Sequence, residues 1–202
     1  MEWKDKIETI RKKVKRDDSL WILGDIHGPA DEAFLERVKS TFPFVNETYL
    51  DFLRVTDGCR LSTLSFFGSG SEAFVPEHVY DKSSMRCSCI FDELRHLNTT
   101  LPSWRKVDNI SPFVPFMKTI TGADYYLILS DGRVLEIDCE YKQAKYDVIR
   151  AHNFSEILDE IVLGHRYPSL FTAEPDEYEV GDLTMIEDDD DWAAFLRQQG
   201  WL

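Results

Sequence analysis

The sequence predicts a single α+β domain, in which an antiparallel sheet packs against an N-terminal helix pair and a C-terminal helix. Three observations predict it: two amphipathic helical segments occur early, strand-like segments joined by an Asp-Gly turn follow, and one more helical segment comes after them. The 202 residues suffice for one domain with its own core. A hydrophobic content of 43%, with 13% aromatic residues, excludes a chain that is disordered throughout.

Residues 1–18 are predicted to form a basic amphipathic helix ahead of this domain. Lys and Arg account for seven of the first 16 residues, against three acids. The apolar residues between them are spaced by four, three and four positions, which places them on one face of a helix. These apolar residues are Trp3, Ile7, Ile10 and Val14. We interpret the basic residues as the solvated face.

Two further amphipathic segments are expected to pack as a pair. The first is predicted to begin at Gly28-Pro29, because proline is favoured at the first helical position. Asp31 and Glu32 then suit the positive end of the helix dipole. The second spans Glu47 to Thr56, and Asp57-Gly58 is expected to end it, since glycine tolerates a left-handed cap.

The middle of the chain is predicted to form the sheet. Within Tyr125 to Asp138, an Asp131-Gly132 turn between two apolar segments is the strongest hairpin signal. Leu61 to Phe67 also has a β pattern. Phe113 to Lys118 is expected beside the hairpin as an edge strand, because its two prolines cannot donate to a ladder. The closing helix is predicted to begin with Ser155 as its cap.

The net charge of −14 limits the classes of partner. Nucleic acids and anionic membranes would repel such a chain, so we expect neither as a partner and expect a basic protein instead. No apolar segment approaches the roughly 18 to 20 residues that a membrane span needs, and the first residues lack the apolar part of a signal peptide. The expected location is the cytoplasm.

Residues 166–202 are predicted to be an acidic extension that ends in a short aromatic helix. Between Ala173 and Trp192 there are ten acids and no basic residue. Trp192, Phe195, Leu196 and Trp201 are expected on one face of this helix, which either packs back on the domain or docks on a partner. The candidate partner-binding residues are Glu187, Asp188, Asp189, Asp190, Asp191 and Trp192.

One short motif points to metal chemistry. Gly24-Asp25-Ile26-His27-Gly28 spells the opening motif of metal-dependent phosphoesterases. A dinuclear centre needs further ligands to hold two cations about 3.5 to 4 Å apart, and the sequence has no Gly-Asn-His and no His-x-His. We therefore interpret Asp25 and His27 as turn residues and expect no metal. The four cysteines lack zinc-ribbon spacing and are expected to be free thiols.

Other enzyme signatures are missing from the sequence too. It contains no nucleophile elbow, no Walker phosphate loop and no dinucleotide fingerprint. We therefore expect no catalytic residue and no cofactor.

The order of several motifs is similar to that of a known family. Gly28 opens a helical segment, a proline-bearing linker follows, and Tyr49-Leu50-Asp51-Phe52-Leu53 leads to Thr56-Asp57-Gly58. This order resembles the SUKH superfamily, to which the yeast cell-wall regulator of the Smi-Knr type belongs. The likeness covers roughly residues 20 to 163, within the domain predicted at residues 19–165. It implies helix residues packed under the sheet and a backbone turn after them. The structural motif residues it implies are Gly28, Tyr49, Phe52, Leu53, Asp57 and Gly58.

The resemblance implies a protein-binding role without catalysis. Many bacterial SUKH members are immunity proteins that bind and neutralise a cognate toxin, often a nuclease, and an acidic chain suits a basic toxin. The alternative is a regulatory scaffold of the yeast Smi-Knr kind, which binds several cellular proteins. Removal of residues 173–202 is expected to separate the two, because a scaffold should then lose partners. A metal-dependent phosphoesterase is the minor alternative.

Overall fold

The computed structural model describes residues 2–14, 24–70, 88–100, 112–119, 123–139, 147–172, 186 and 190–202. Its helices are α1 (Trp3–Val14), α2 (Glu32–Thr41), α3 (Glu47–Val55), α4 (Ile90–Thr100), α5 (Phe154–Glu156) and α6 (Asp191–Gln199). A π-helical segment, Ile157–Val162, continues α5, and a 3-10 helix follows at Tyr167–Phe171. None of these helices is both long and apolar enough to cross a membrane.

The described strands form one antiparallel sheet, in which each strand pairs with the next one along the chain. They are β1 (Gly24–Ile26), β2 (Cys59–Leu61), β3 (Leu64–Phe66), β4 (Phe113–Thr119), β5 (Asp124–Leu129), β6 (Val134–Asp138) and β7 (Val148–Ala151). Helices α2 and α3 contact each other, and the ring of Phe52 in α3 lies 5.3 Å from that of Phe66 in β3. The predicted α+β class is confirmed.

The predicted Asp-Gly hairpin is the pair β5 and β6. Tyr125 pairs with Ile137 across it. Gly132 has a φ of +89°, and its N–H donates to the carbonyl of Leu129 at 2.9 Å. A side chain is unfavourable at such a φ, which explains the glycine at this turn. The hairpin prediction is confirmed in position and in turn residue.

The prediction that Phe113 to Lys118 is an edge strand is wrong. Strand β4 lies inside the sheet, between β3 and β5. It pairs with β3 only through Met117 to Thr119, and its register against β5 shifts between Pro115 and Met117. A bulge accommodates a residue that cannot donate a hydrogen bond, because the ladder is already interrupted there.

Two helices begin at residues other than the predicted ones. Helix α2 begins at Glu32 and not at Pro29, because the carboxylate of Asp31 accepts a backbone N–H of the first turn at 2.7 Å. The side chain of Asn153 accepts the corresponding N–H of α5 at 3.0 Å, so Asn153 and not Ser155 is that cap. In both cases another residue with a capping side chain lies close to the predicted start. The observed hydrogen bond shows that this residue is the cap.

Helix α1 joins the core of the domain. Its buried apolar residues are Trp3, Ile7 and Ile10. The ammonium group of Lys6 donates to the carbonyls of Asp159 and Leu163 at 2.9 and 2.8 Å, which satisfies carbonyls at the end of the π-helical segment. Burial lowers the pKa of Lys6, and the carboxylates of Asp159 and Glu160 oppose the shift.

Helix α6 also packs on the domain. Its buried residues are Trp192, Ala193, Phe195 and Leu196. The indole Nε1 of Trp192 donates to the carbonyl of Val162 at 3.1 Å. Of the two alternatives for this aromatic helix, the structure therefore shows packing on the domain. Residues 1–18 and residues 166–202 both contribute apolar side chains to the core that residues 19–165 form.

We predict that Trp192→Ala lowers the free energy of unfolding by about 3 to 5 kcal/mol, because it leaves a cavity where a fully buried indole packs. Gln198→Ala is the matched control, since Gln198 is exposed on the same helix. Its expected effect is within about 0.5 kcal/mol. Urea unfolding of the three proteins measures both values. Equal stabilities for the two variants would contradict the burial of α6.

Candidate protein-binding site

An exposed aromatic ring stands out on the surface of the described residues. Phe171 ends the 3-10 helix and is 48% exposed, whereas every other large hydrophobic side chain in the described ranges is buried or half-buried. Its ring packs edge to face against the ring of Tyr167, with centroids 5.3 Å apart. Tyr167 itself is buried. A single exposed apolar side chain is common on protein surfaces, so its role depends on what surrounds it.

A buried ion pair fixes the backbone beside Phe171. Arg150 in β7 binds Glu136 in β6 through two hydrogen bonds, from Nε at 2.7 Å and from Nη2 at 3.0 Å. Its Nη1 donates to the carbonyls of Ser169 at 2.7 Å and Thr172 at 2.5 Å. These two carbonyls lie on either side of Phe171 in the chain. The guanidinium therefore holds the end of the 3-10 helix against the edge of the sheet.

The described residues at the two ends of the acidic segment are hydrogen-bonded to residues that hold or contact Phe171. It follows Thr172, and it ends at Asp190, whose carboxylate accepts from the hydroxyl of Tyr167 at 3.0 Å and from the N–H of Ala193 at 2.8 Å. Asp190 therefore caps α6 and also binds the residue on which Phe171 packs. Burial and the carboxylate of Asp190 raise the pKa of Tyr167, so its hydroxyl stays protonated and donates. Between these two ends, Ile186 is buried.

The sequence that follows Thr172 is strongly acidic. Ten of the 37 acids of the chain lie between Ala173 and Trp192, without a basic residue among them. Two basic side chains of the neighbouring elements are paired: Arg150 binds Glu136, and Arg166 lies 2.6 Å from Glu156. Lys6 and Lys13 lie over the rings of Trp201 and Phe195. We name Phe171, Asp190 and Asp191 the acidic docking surface.

The structure describes three of the six candidate partner-binding residues, and these three differ in their exposure to solvent. Glu187, Asp188 and Asp189 lie outside the described residues. Asp190 is half-buried and serves as the cap of α6, whereas Asp191 is exposed in its first turn. Trp192 lies in the core with 1% exposure, so its indole supports the domain and is not part of the surface.

The motif residues of the family resemblance lie around the end of α3. Tyr49, Phe52 and Leu53 are fully buried in that helix. The N–H of Asp57 donates to the carbonyl of Gly28 at 2.6 Å, and Gly58 adopts a φ of +85°. The motif thus joins the loop after β1 to the end of α3. These contacts are structural and contain no reactive group open to solvent.

Asp57 connects this motif to the loop after β3. Its carboxylate accepts from the N–H of Ser69 at 2.7 Å and from the hydroxyl of the same residue. A Cβ on Gly68 would lie 2.3 Å from the carbonyl oxygen of Asp57, so only glycine fits there. Helix α3, β2 and the loop after β3 are therefore held together by one buried carboxylate.

The glycine motif at residues 24–28 forms backbone contacts with β2 and with the turn before it. Asp25 pairs with Arg60 through β1 and β2, and the N–H of His27 donates to the carbonyl of Gly58 at 3.3 Å. His27 is 3% exposed, and its Nδ1 has no hydrogen-bond partner among the described residues. Burial lowers the pKa of His27, and Asp57 opposes the shift. Within the described ranges, no group of three or more His, Cys, Asp or Glu residues could hold a metal.

Comparisons with known proteins give no assignment. No protein-family model matches this sequence, and no curated protein shows significant similarity to it. The resemblance to the SUKH superfamily therefore stays a prediction, and the function is inferred from the fold and from the acidic docking surface.

Sequence reasoning missed the aromatic part of this surface. Tyr167-Pro168-Ser169-Leu170-Phe171 has a proline near its start, which is the usual signal for a short helix, and that signal could have been used. The exposure of Phe171 has no local signal, since it follows from the way the 3-10 helix lies on the sheet. The pairing of Arg150 with Glu136 depends likewise on the register of β6 and β7.

We predict that Arg150→Met lowers the free energy of unfolding by about 3 to 5 kcal/mol, because it leaves the carboxylate of Glu136 buried without its partner. Adding Glu136→Leu should recover part of this loss, since no buried charge then remains. Arg133→Met is the matched control: Arg133 pairs with Asp131 on the surface, and its loss should cost at most about 1 kcal/mol. Urea unfolding gives the values. If the stability losses of the two single variants simply add in the double variant, the coupling between positions 150 and 136 is refuted.

We also predict an acid-sensitive contribution from His27. In the unfolded chain its pKa is the ordinary 6.5, and in the folded chain it is lower. At a pH between these two values, the unfolded state binds one more proton than the folded state. The contribution of His27 to the free energy of unfolding is therefore fully present above pH 6.5, and it is lost as the pH falls through the folded pKa. His27→Gln should reduce the difference in stability between about pH 7.5 and about pH 5.5. His152→Gln, at an exposed position, should leave that difference unchanged, and an unchanged difference in His27→Gln would oppose the assignment.

Proposed function

We propose that this chain is a non-enzymatic, cytoplasmic protein-binding domain of the immunity type, which binds and neutralises a basic, nuclease-type toxin. The observation that supports the proposal most directly is the acidic docking surface. It combines the exposed ring of Phe171 with the carboxylates of Asp190 and Asp191, and the sequence between Ala173 and Trp192 carries ten acids and no basic residue. Aromatic residues inside a charged rim are the usual composition of a protein interface.

Charge complementarity explains the choice of partner. A nuclease binds the phosphates of its substrate with Lys and Arg side chains, and the same side chains attract a dense group of carboxylates. An acidic domain that covers such a surface also competes directly with the nucleic acid. Attraction between opposite charges raises the rate of encounter, which matters to a protein that must capture a toxin before it acts.

The fold supports a binding role through the placement of the motif residues. The residues of the SUKH resemblance lie in the core and in backbone turns, as a scaffold requires, and they leave the surface free to vary. Binding specificity of this kind resides in surface residues carried on a stable frame.

The direct test is a binding measurement with a defined probe. The probe is a nuclease-type toxin domain encoded by a neighbouring gene, purified in a catalytically inactive form, and the proposal expects that such a gene exists. The proposal expects a complex in the nanomolar range or tighter, and an affinity that falls as NaCl rises from about 50 mM to about 500 mM. Absence of binding at low salt would contradict the proposal.

We predict that neutralising Glu187, Asp188 and Asp189 to their amides slows association about tenfold at low salt and leaves dissociation nearly unchanged, because the charges steer the encounter. Asp190 and Asp191 are kept, since they begin α6. Truncation at residue 173 is unsuitable, because it would also remove the buried residues of α6.

The control carries the same change of charge elsewhere on the surface: Glu2, Glu32 and Glu36, all exposed, become Gln. Rapid-mixing kinetics gives both rate constants for each protein. The control should associate at close to the rate of the unmodified protein, and the difference between the two triple variants should vanish at high salt. Equal association rates at low salt would exclude the acidic segment from the encounter.

A further inference from the structure

We propose that the two terminal helices, α1 and α6, dock on the domain as one cooperative unit, which the π-helical segment Ile157–Val162 couples. Opening of either helix then loosens the other one. The residues of this unit, which we name the terminal clasp, are Lys6, Asp159, Val162, Leu163, Trp192 and Trp201. The clasp goes beyond the proposed function, because none of its contacts involves the acidic docking surface.

The carbonyls at the end of the π-helical segment are the first step. The last carbonyls of a helix have no partner within it, and a buried carbonyl needs a donor from elsewhere. The ammonium group of Lys6 in α1 donates to the carbonyls of Asp159 and Leu163 at 2.9 and 2.8 Å. The indole of Trp192 in α6 donates to the carbonyl of Val162 at 3.1 Å. The two terminal helices therefore bind neighbouring carbonyls of one short segment.

Direct contacts between the two ends of the chain are the second step. The ammonium of Lys6 lies 5.6 Å from the centre of the Trp201 ring, and that of Lys13 lies 5.8 Å from the ring of Phe195. The N–H of Trp201 donates to the carbonyl of Leu196 at 3.0 Å, which holds this ring at the end of α6. Cations over aromatic faces attract the ring, so α1 also binds α6 directly.

The tight turn after the π-helical segment is the third step. A Cβ on Gly164 would lie 2.2 Å from the carbonyl oxygen of Asp159, so the chain folds back closely over that carbonyl. The N–H of Leu163 donates to the carbonyl of Leu158 at 3.0 Å, five residues earlier, which is the π-helical pattern. Because both terminal helices bind this one segment, loss of either helix changes the place to which the other is bound.

The test is native-state amide hydrogen exchange of the full chain, which gives a free energy of opening for each helix and strand. If the clasp is one unit, the amides of α1 and α6 share one value, which lies below that of the central strand β5. Lys6→Met should raise exchange in α6 about tenfold, because opening of α6 no longer breaks the hydrogen bonds of Lys6. Trp192→Phe keeps a ring but loses the indole N–H, and it should raise exchange in α1 about tenfold for the corresponding reason.

Two exposed residues give matched controls on the same helices. Lys12→Met on α1 and Gln198→Ala on α6 should each leave exchange in the other helix within about twofold of the unmodified protein. Trp201→Leu is a milder variant, which keeps Lys6 and removes the ring beside it, and it should raise exchange in α1 about threefold. It provides the same test if Lys6→Met does not fold.

Independent docking of the two helices gives a different pattern. Exchange in α6 then stays unchanged in Lys6→Met, whereas exchange in β5 rises, because unfolding of the whole domain still breaks the contacts of Lys6. That pattern refutes the coupling. Equal free energies of opening for β5 and the two terminal helices in the unmodified protein would refute the clasp as a separate unit. Either result leaves the proposed function standing, since toxin binding is measured separately.

Discussion

The buried pair of Arg150 and Glu136 is the interaction on which the acidic docking surface depends. A guanidinium has five N–H donors, and the four described hydrogen bonds of Arg150 link β6, β7 and both ends of the turn that carries Phe171. Lysine could not replace it, because an ammonium group lacks the planar fork that reaches a carboxylate and two carbonyls at once. The sheet thus fixes a surface residue through a side chain that is itself hidden from solvent.

Features set by neighbouring residues could be predicted from the sequence. The hairpin at Asp131-Gly132 depends on one residue with a left-handed conformation, and α3 depends on apolar spacing within nine residues. The amphipathic pattern of α1 and of α6 likewise identified buried side chains, namely Trp3, Ile7, Ile10, Trp192, Phe195 and Leu196, whereas Trp201 lies beyond α6 and is half-buried. In each case the physical cause acts over a few positions, so a short stretch of sequence contains all the necessary information.

Features set by distant residues could not be predicted in this way. Pro115 suggested an edge strand, but a bulge lets β4 lie inside the sheet. Whether Asp31 or Pro29 starts α2 depends on how the loop before it is bonded to α3, for the N–H of Ala30 donates to the carbonyl of Leu53 at 2.9 Å. The exposure of Phe171 and the partner of Arg150 follow from packing of the whole domain. The acidic charge was visible in the sequence, whereas the aromatic half of the site was not.

The two halves of the docking surface place opposite demands on the structure, and the fold meets both. Electrostatic attraction acts over roughly a Debye length of 8 to 10 Å, so the carboxylates contribute wherever they lie within that reach. Apolar contact acts only between touching atoms, so the ring must be held in place. The described ends of the acidic segment, at Thr172 and Asp190, are both bonded to the elements that hold Phe171. Packing of α6 into the core therefore holds Asp190 and Asp191 at the start of that helix, which a freely hanging C-terminal tail would not achieve.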